Sequence, residues 1–282
     1  MVWMAGLIIV LLIAMVVVGR LIRLGTPNQV GIDSDPANGI EAIPTLFIPG
    51  YFGNRLSFGR LINRLTRQCG ANKSMVIKVD RHGKIHVSGH LAKSKVLIQV
   101  LFADKSSRPR QQAVWLSEVL EVLNTRYGVE EINLVGHSMG CITIFWFLTH
   151  QSKMTPVSVK HVVAIAGPFN DSEIARSTDK VDAYPLNAKG PTKRMPIYRA
   201  LSQRVFAIPR DIKVLNIAGR ISNTQQNDGE VSVNSAFSLR YLLQDPAAQY
   251  HELVIRGKRA THRLLHENVI VDQEIAKFLW NQ

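Results

Sequence analysis

Gly136-His137-Ser138-Met139-Gly140 is the stretch whose residue types and spacing speak most directly of chemistry. A serine hydroxyl attacks a carbonyl only when a base removes its proton and fixed donors receive the charge that builds on oxygen. Residues 132–135 read as an apolar strand and residues 141–148 as an apolar helix, so Ser138 falls on the sharp turn between them. Such a nucleophile elbow holds the hydroxyl out at the edge of a sheet, and glycines on both sides let strand and helix approach without a Cβ in the way. The N-terminus of the helix then faces the developing oxyanion. Cys141, beside the motif, reads as a small buried residue rather than a nucleophile.

An elbow serine is followed along the chain by an acid and then a histidine. The acid is expected after the strand at 213–219, where Asp228 precedes Gly229 in a polar loop and Glu230 is its nearest rival. The base is expected after the strand at 251–257, in Lys-Arg-Ala-Thr-His-Arg-Leu-Leu-His-Glu-Asn. His262 falls in the loop and is the candidate. His266 falls in the first turn of the closing helix and braces the loop, with Glu267 beside it. Two backbone amides complete the set. Met139 N–H follows the nucleophile, and Tyr51 N–H lies in Pro49-Gly50-Tyr51-Phe52-Gly53, the loop after the first strand of the domain. His82-Gly83 resembles that loop but belongs to a hairpin.

The elements that must position these groups follow from the apolar pattern. Strands are expected at 45–50, 75–79, 96–102, 132–136, 159–167, 213–219 and 251–257. Helices are expected at 56–69, 109–127, 139–150 and 266–281, with a hairpin punctuated by Gly83 and Gly89. Alternating strands and helices, with near-continuous apolar strands, give an α/β fold with a mostly parallel sheet covered on both faces. Residues 168–212 fill the slot between two core strands and are apolar enough to form a lid over a pocket.

Residues 43–280 resemble the α/β-hydrolases known as bacterial cell-surface hydrolases, a family of uncharacterised function. The likeness rests on PTLFIPGYFGN, VDRHGKIHVSGH, INLVGHSMGC, AIAGPFN, NDGEVSVNSAFSLRYLL and THRLLHEN. It implies an α/β-hydrolase fold, with Ser138 as nucleophile, Asp228 as acid and His262 as base, and a location at the cell surface. Pro49 stands where histidine is common in related hydrolases, and Cys141 where glycine is typical; neither departure removes a catalytic group.

Of the 282 residues, the first nineteen carry no charged side chain. As a helix they reach about 28 Å, close to the hydrocarbon thickness of a bilayer. Without a basic leading segment, residues 1–24 read as an uncleaved transmembrane anchor rather than a signal peptide. Residues 25–42 read as a linker and 43–282 as the hydrolase domain. Arg20 and Arg23 follow the apolar run, which favours a cytoplasmic domain by the distribution of charge, against the cell-surface location that the resemblance implies. The formal net charge is +13, and thirteen lysines and arginines between Arg55 and Arg110 face only Asp80 and Asp104. With no stacking or recognition motif beside them, these charges read first as a solvated basic face and next as contact with anionic headgroups beside the anchor, ahead of nucleic acid. His82, His86 and His90 recur every four residues, but no acidic or thiol partner stands near, so no metal is expected. Two cysteines exclude a disulfide scaffold.

The sequence therefore implies a membrane-anchored serine hydrolase, esterase- or lipase-like, taking a small or lipid-like acyl substrate and needing no cofactor. An acyltransferase would use the same groups with an alcohol in place of water. A membrane-tethered binding protein would keep the fold without turnover.

Overall fold

The computed structural model describes residues 2–28, 43–92, 94–171, 184–243 and 249–281. Helix α1, Val2–Arg23, stands apart from the domain. Its residues Gly6–Arg23 are apolar and unburied, and long enough to cross a membrane. The domain then alternates strands and helices: β1 Thr45–Ile48, α2 Arg55–Cys69, β2 Asn72–Val79, β3 Ile85–Gly89, β4 Val96–Phe102, α3 Pro109–Tyr127, β5 Glu131–His137, α4 Met139–His150 and β6 Ser158–Ile165. It continues through the two-residue strands β7 Leu186–Asn187 and β8 Gly190–Pro191, then α5 Pro196–Ser202, β9 Lys213–Arg220, α6 Val233–Phe237, β10 Tyr250–Arg256, α7 His262–Leu265 and α8 Val269–Trp280.

Eight strands form one sheet in the order β10-β9-β6-β5-β1-β4-β2-β3. Only β3 runs antiparallel, paired with β2 across the turn at 80–84. The sheet is therefore mostly parallel with helices on both faces, the architecture of an α/β-hydrolase. Successive residues of each strand serve opposite faces. Leu46, Ile48, Leu134 and Val162 pack with α3 and α4. Phe47, Val135, Val163 and Leu215 pack with α2 and α8.

Local chemistry fixes the ends of the helices. Asn54 caps α2 by accepting from Leu56 N at 2.8 Å, while Ser57 Oγ accepts from Asn54 N at 3.0 Å. Gly70 ends that helix in the left-handed conformation, as Gly128 ends α3. Pro109 opens α3 with no amide to leave unpaired.

Several expectations are revised. The closing helix begins at Val269, not at 266, because Asn268 caps it by accepting from Ile270 N. His262 lies in the one-turn helix α7 rather than a loop, and His266 terminates that turn. An acidic partner does stand near the spaced histidines: Asp80 Oδ2 is 3.1 Å from His86 Nε2. Among the described residues no cluster of three or more His, Cys, Asp or Glu could hold a metal ion. The basic stretch is not one solvated face. Lys73 is buried, Lys95 donates to Cys69 O at 2.8 Å, and Arg64 is paired with Asp272 and Glu267. Most of the expected linker, 29–42, and part of the expected lid, 172–183, lie outside the described residues. The described remainder of that segment packs on the core through Ile197, Tyr198 and Leu201.

Candidate active site

Ser138 terminates the turn from β5 into α4 with φ 55 and ψ −126, in the positive-φ region that a non-glycine residue enters only under strain. The neighbouring glycines explain how the elbow closes. A Cβ on Gly140 would lie 2.3 Å from Ile48 O, and one on Gly136 would lie 2.9 Å from Cys141 N. Helix and strands therefore approach at distances that any side chain would block. Ser138 N donates to Ile165 O at 2.9 Å, which ties the turn to the end of β6. The serine is half-buried, and its hydroxyl has no hydrogen-bond partner among the described residues.

Asp228 follows β9 in a tight turn that Gly229 makes possible with φ 97. Its Oδ1 accepts from Glu230 N at 2.9 Å and Val231 N at 2.7 Å. Its Oδ2 accepts from His262 Nδ1 at 2.8 Å. Both side chains are almost wholly buried, at 1% and 7% exposed. An Nδ1–H committed to the carboxylate leaves Nε2 of the neutral ring as a free base. Burial lowers the His262 pKa, but the hydrogen bond and charge of Asp228, joined by Glu230, outweigh it and leave it raised.

Glu230, the rival acid, lies on the other side of the ring: its Oε2 is 3.7 Å from Nε2. Asp228 is the carboxylate that hydrogen-bonds the ring, at Nδ1; Glu230, beyond hydrogen-bond distance, acts on it by charge alone.

His137, at the x position before the serine, had no assigned part. Its Nε2 donates to His262 O at 2.9 Å, and its ring lies 4.6 Å from that of His262 and 4.7 Å from that of His266. Burial, with the nearby His262 and His266, keeps its pKa far below the usual histidine value. A neutral His137 thus links the elbow to the α7 turn. Its place inside the Gly-x-Ser-x-Gly motif was the one available signal. Arg64 of α2 braces the same turn from outside, donating to His266 O at 3.2 Å, Glu267 Oε2 at 3.1 Å and both oxygens of Asp272.

Pro49–Gly53 lies directly against the elbow. A Cβ on Gly50 would meet His137 O at 2.9 Å and Ser138 Cβ at 3.0 Å. In that loop Phe52 N donates to Lys105 O and Gly53 N to Gly50 O, while Tyr51 N and Met139 N have no acceptor among the described residues. Cys141 is fully buried, and burial pushes its thiol pKa up, away from reactivity. Two open surface depressions, of about 550 and 390 Å³, lie elsewhere, between α2 and α8 and beside β6; neither is lined by Ser138.

The structure thus joins Asp228 to His262, and His262 through His137 to the Ser138 turn. It brings Gly50 against Ser138. No hydrogen bond connects Ser138 Oγ to His262 Nε2. Hydrogen bonds of this kind commonly tighten only with substrate bound.

Known structures share this arrangement of strands and helices. The lin2722 product of Listeria innocua is similar over 86% of this chain and 95% of its own, with 25% identity and a TM-score of 0.76. A Lactobacillus plantarum WCFS1 protein provisionally named a cell surface hydrolase matches 84% of this chain and 89% of its own, at 24% identity and TM-score 0.64. The mature lipase BlEst2 of Bacillus licheniformis shares the fold over 84% of this chain and 92% of its own, at 14% identity and TM-score 0.50. No relative is found among curated proteins. Residues 34–282 match the family described as alpha/beta hydrolase of unknown function, DUF915, and the chain belongs to that family.

Proposed function

We propose that this chain is a membrane-anchored serine hydrolase that cleaves carboxylic esters through Ser138, His262 and Asp228. One observation carries the reading: a buried carboxylate–imidazole pair, Asp228 Oδ2 to His262 Nδ1 at 2.8 Å, tied through His137 to a strained elbow serine.

His262 Nε2 takes the proton as Ser138 Oγ bonds to the ester carbonyl carbon. The carbonyl oxygen becomes an oxyanion, which Tyr51 N–H and Met139 N–H receive. As the tetrahedral centre collapses, the C–O bond to the alcohol breaks and the imidazolium gives that alcohol its proton. An acyl–Ser138 ester remains. Water, deprotonated by His262, attacks it; collapse returns the proton to Ser138 Oγ and releases the carboxylic acid. Asp228 holds the imidazole in the required tautomer and stabilises its charged form. Apart from the ester and water, every group in the cycle is supplied by the protein.

The apolar, unburied α1 supports a membrane anchor. The name of the Lactobacillus relative supports the outer surface for the domain.

The test is hydrolysis of a panel of p-nitrophenyl esters by the full chain. Acyl release with a burst of one equivalent of p-nitrophenol supports the acyl–serine route. No turnover of any ester by folded protein would contradict it.

A further inference from the structure

The chain just after α1 is built into the domain rather than hung from it. Gly25 N donates to Ile22 O at 2.9 Å, and Thr26 N to Arg23 O at 3.3 Å. The next free carbonyl, Leu24 O, accepts from Lys73 Nζ at 2.9 Å. Lys73 is 3% exposed, and burial pushes its pKa down to about 8. A buried ammonium spent on a helix's last carbonyls suits the negative end of a helix dipole. Glycine clears the space around it. A Cβ on Gly59 would lie 2.9 Å from Leu24 O, one on Gly25 2.9 Å from Arg55 Cδ, and one on Gly89 2.8 Å from Pro27 Cβ. Asn28 N then donates to Lys73 O at 2.8 Å.

This dock fixes where α1 leaves the domain. Gly25 lies against Arg55, the first residue of α2, at the edge of the sheet where β1 passes into the Pro49–Asn54 loop. Phe52 is three residues from Arg55, so it lies within about 11 Å along the chain. Its side chain is 59% exposed and that of Tyr51 is 41% exposed, with the rings in edge contact at 4.6 Å. Phe52 has φ 52, held by its amide on Lys105 O at 2.9 Å. A strained backbone here keeps an apolar ring pointing outward, beside the loop that meets Ser138. Exposed Arg55 follows the pair by three residues, the backbone carbonyl of exposed Lys105 accepts from Phe52 N, and Arg20 and Arg23 are exposed on the last turns of α1. Aromatic and basic side chains together suit the headgroup region of an anionic bilayer.

We propose that residues 24–28 dock the membrane helix so that the Tyr51–Phe52 edge of the active site rests on the bilayer that α1 enters, and that the site draws acyl-ester lipids from that bilayer. The substrate class rests on the hydrolase reading above; the orientation does not.

The test uses the full chain in phosphatidylglycerol–phosphatidylcholine vesicles. In a Cys69→Ser background, Phe52→Cys carries an environment-sensitive fluorophore, and Ser158→Cys, exposed at the opposite end of the strands, carries the same label. Spin-labelled lipids are expected to quench the label at 52 several-fold more than that at 158. Gly59→Leu, which drives a side chain into Leu24, and Lys73→Met are each expected to reduce that difference. Each is also expected to slow hydrolysis of a vesicle-embedded long-chain acyl ester about tenfold, with a soluble short-chain ester changed less than twofold. Equal quenching at 52 and 158, or a difference that survives both dock variants, would overturn the orientation. Intact quenching with no hydrolysis of either ester would instead contradict the hydrolase reading. Full activity on the soluble ester and none on the embedded lipid would overturn the substrate class.

Discussion

Asp228 and His262 are joined twice: Oδ2 accepts from Nδ1 at 2.8 Å, and the Asp228 backbone carbonyl accepts from His262 N at 2.9 Å. The second bond matters because the residues come from different elements, the turn after β9 and the helix α7. A main-chain tie sets their separation before the side chains choose rotamers. Removing Asp228's carboxylate should therefore leave His262 in place and change its tautomer and charge.

Replacing the two C-terminal histidines should give unequal losses. His262→Ala is expected to lower kcat roughly 10²–10⁴-fold, the usual worth of a positioned general base. His266 has a buried Nδ1 without a hydrogen-bond partner among the described residues, its nearest carboxylate being Glu267 Oε1 at 3.7 Å, and packs edge-on against His137. His266→Ala should cost activity less than tenfold. Ester kinetics of both variants decide it, and a larger loss at His266 would move the base to that residue.

The pH profile carries a signed test. His262 must be neutral to accept the Ser138 proton, and its folded pKa is raised. The acid limb of kcat/KM should therefore lie above about 6.5, the ordinary histidine value. The charged groups facing the ring are Asp228, Glu230 and Arg263. Glu230 raises the pKa and Arg263 lowers it. Glu230→Gln should shift the limb to lower pH and Arg263→Gln to higher pH. Shifts of the same sign in both variants would contradict the assignment.

Stability depends on Arg64. Asp272 is 1% exposed and is met by the Arg64 guanidinium from α2. Arg64→Met strands that carboxylate, which costs roughly 3–5 kcal/mol when a buried pair loses one partner. Arg64→Met combined with Asp272→Leu should recover most of the loss, since the most deeply buried charge is then gone and only the partly exposed Glu267 lacks its arginine. Denaturant unfolding of the single and double variants measures this. A double variant less stable than the single would show that the pair does more than neutralise itself.

Much of the site was legible because short-range rules dictate it. A glycine-flanked serine between an apolar strand and an apolar helix has few other ways to fold, and the acid and base follow the ends of later strands. What was hidden depends on contacts distant in sequence. Arg64 meets Asp272 across 208 residues, and nothing in a run of arginines separates that one from its solvated neighbours. The one-turn helix α7 is four residues long, too short for a periodic pattern, so His262 read as loop. Lys73 read as part of a basic face because the pattern of β2 does not reveal what covers its edge. Gly59 and Gly89 likewise carried no sign of the chain end that packs against them.

The central claim is that Ser138 is the nucleophile. The direct measurement is reaction of the full chain with a fluorophosphonate, followed by mass spectrometry of the labelled peptide. One phosphonyl group on Ser138, absent from a folded Ser138→Ala variant and slowed by His262→Ala, is the expected result. Undiminished labelling of Ser138→Ala, or an adduct mapped to another residue, would contradict it.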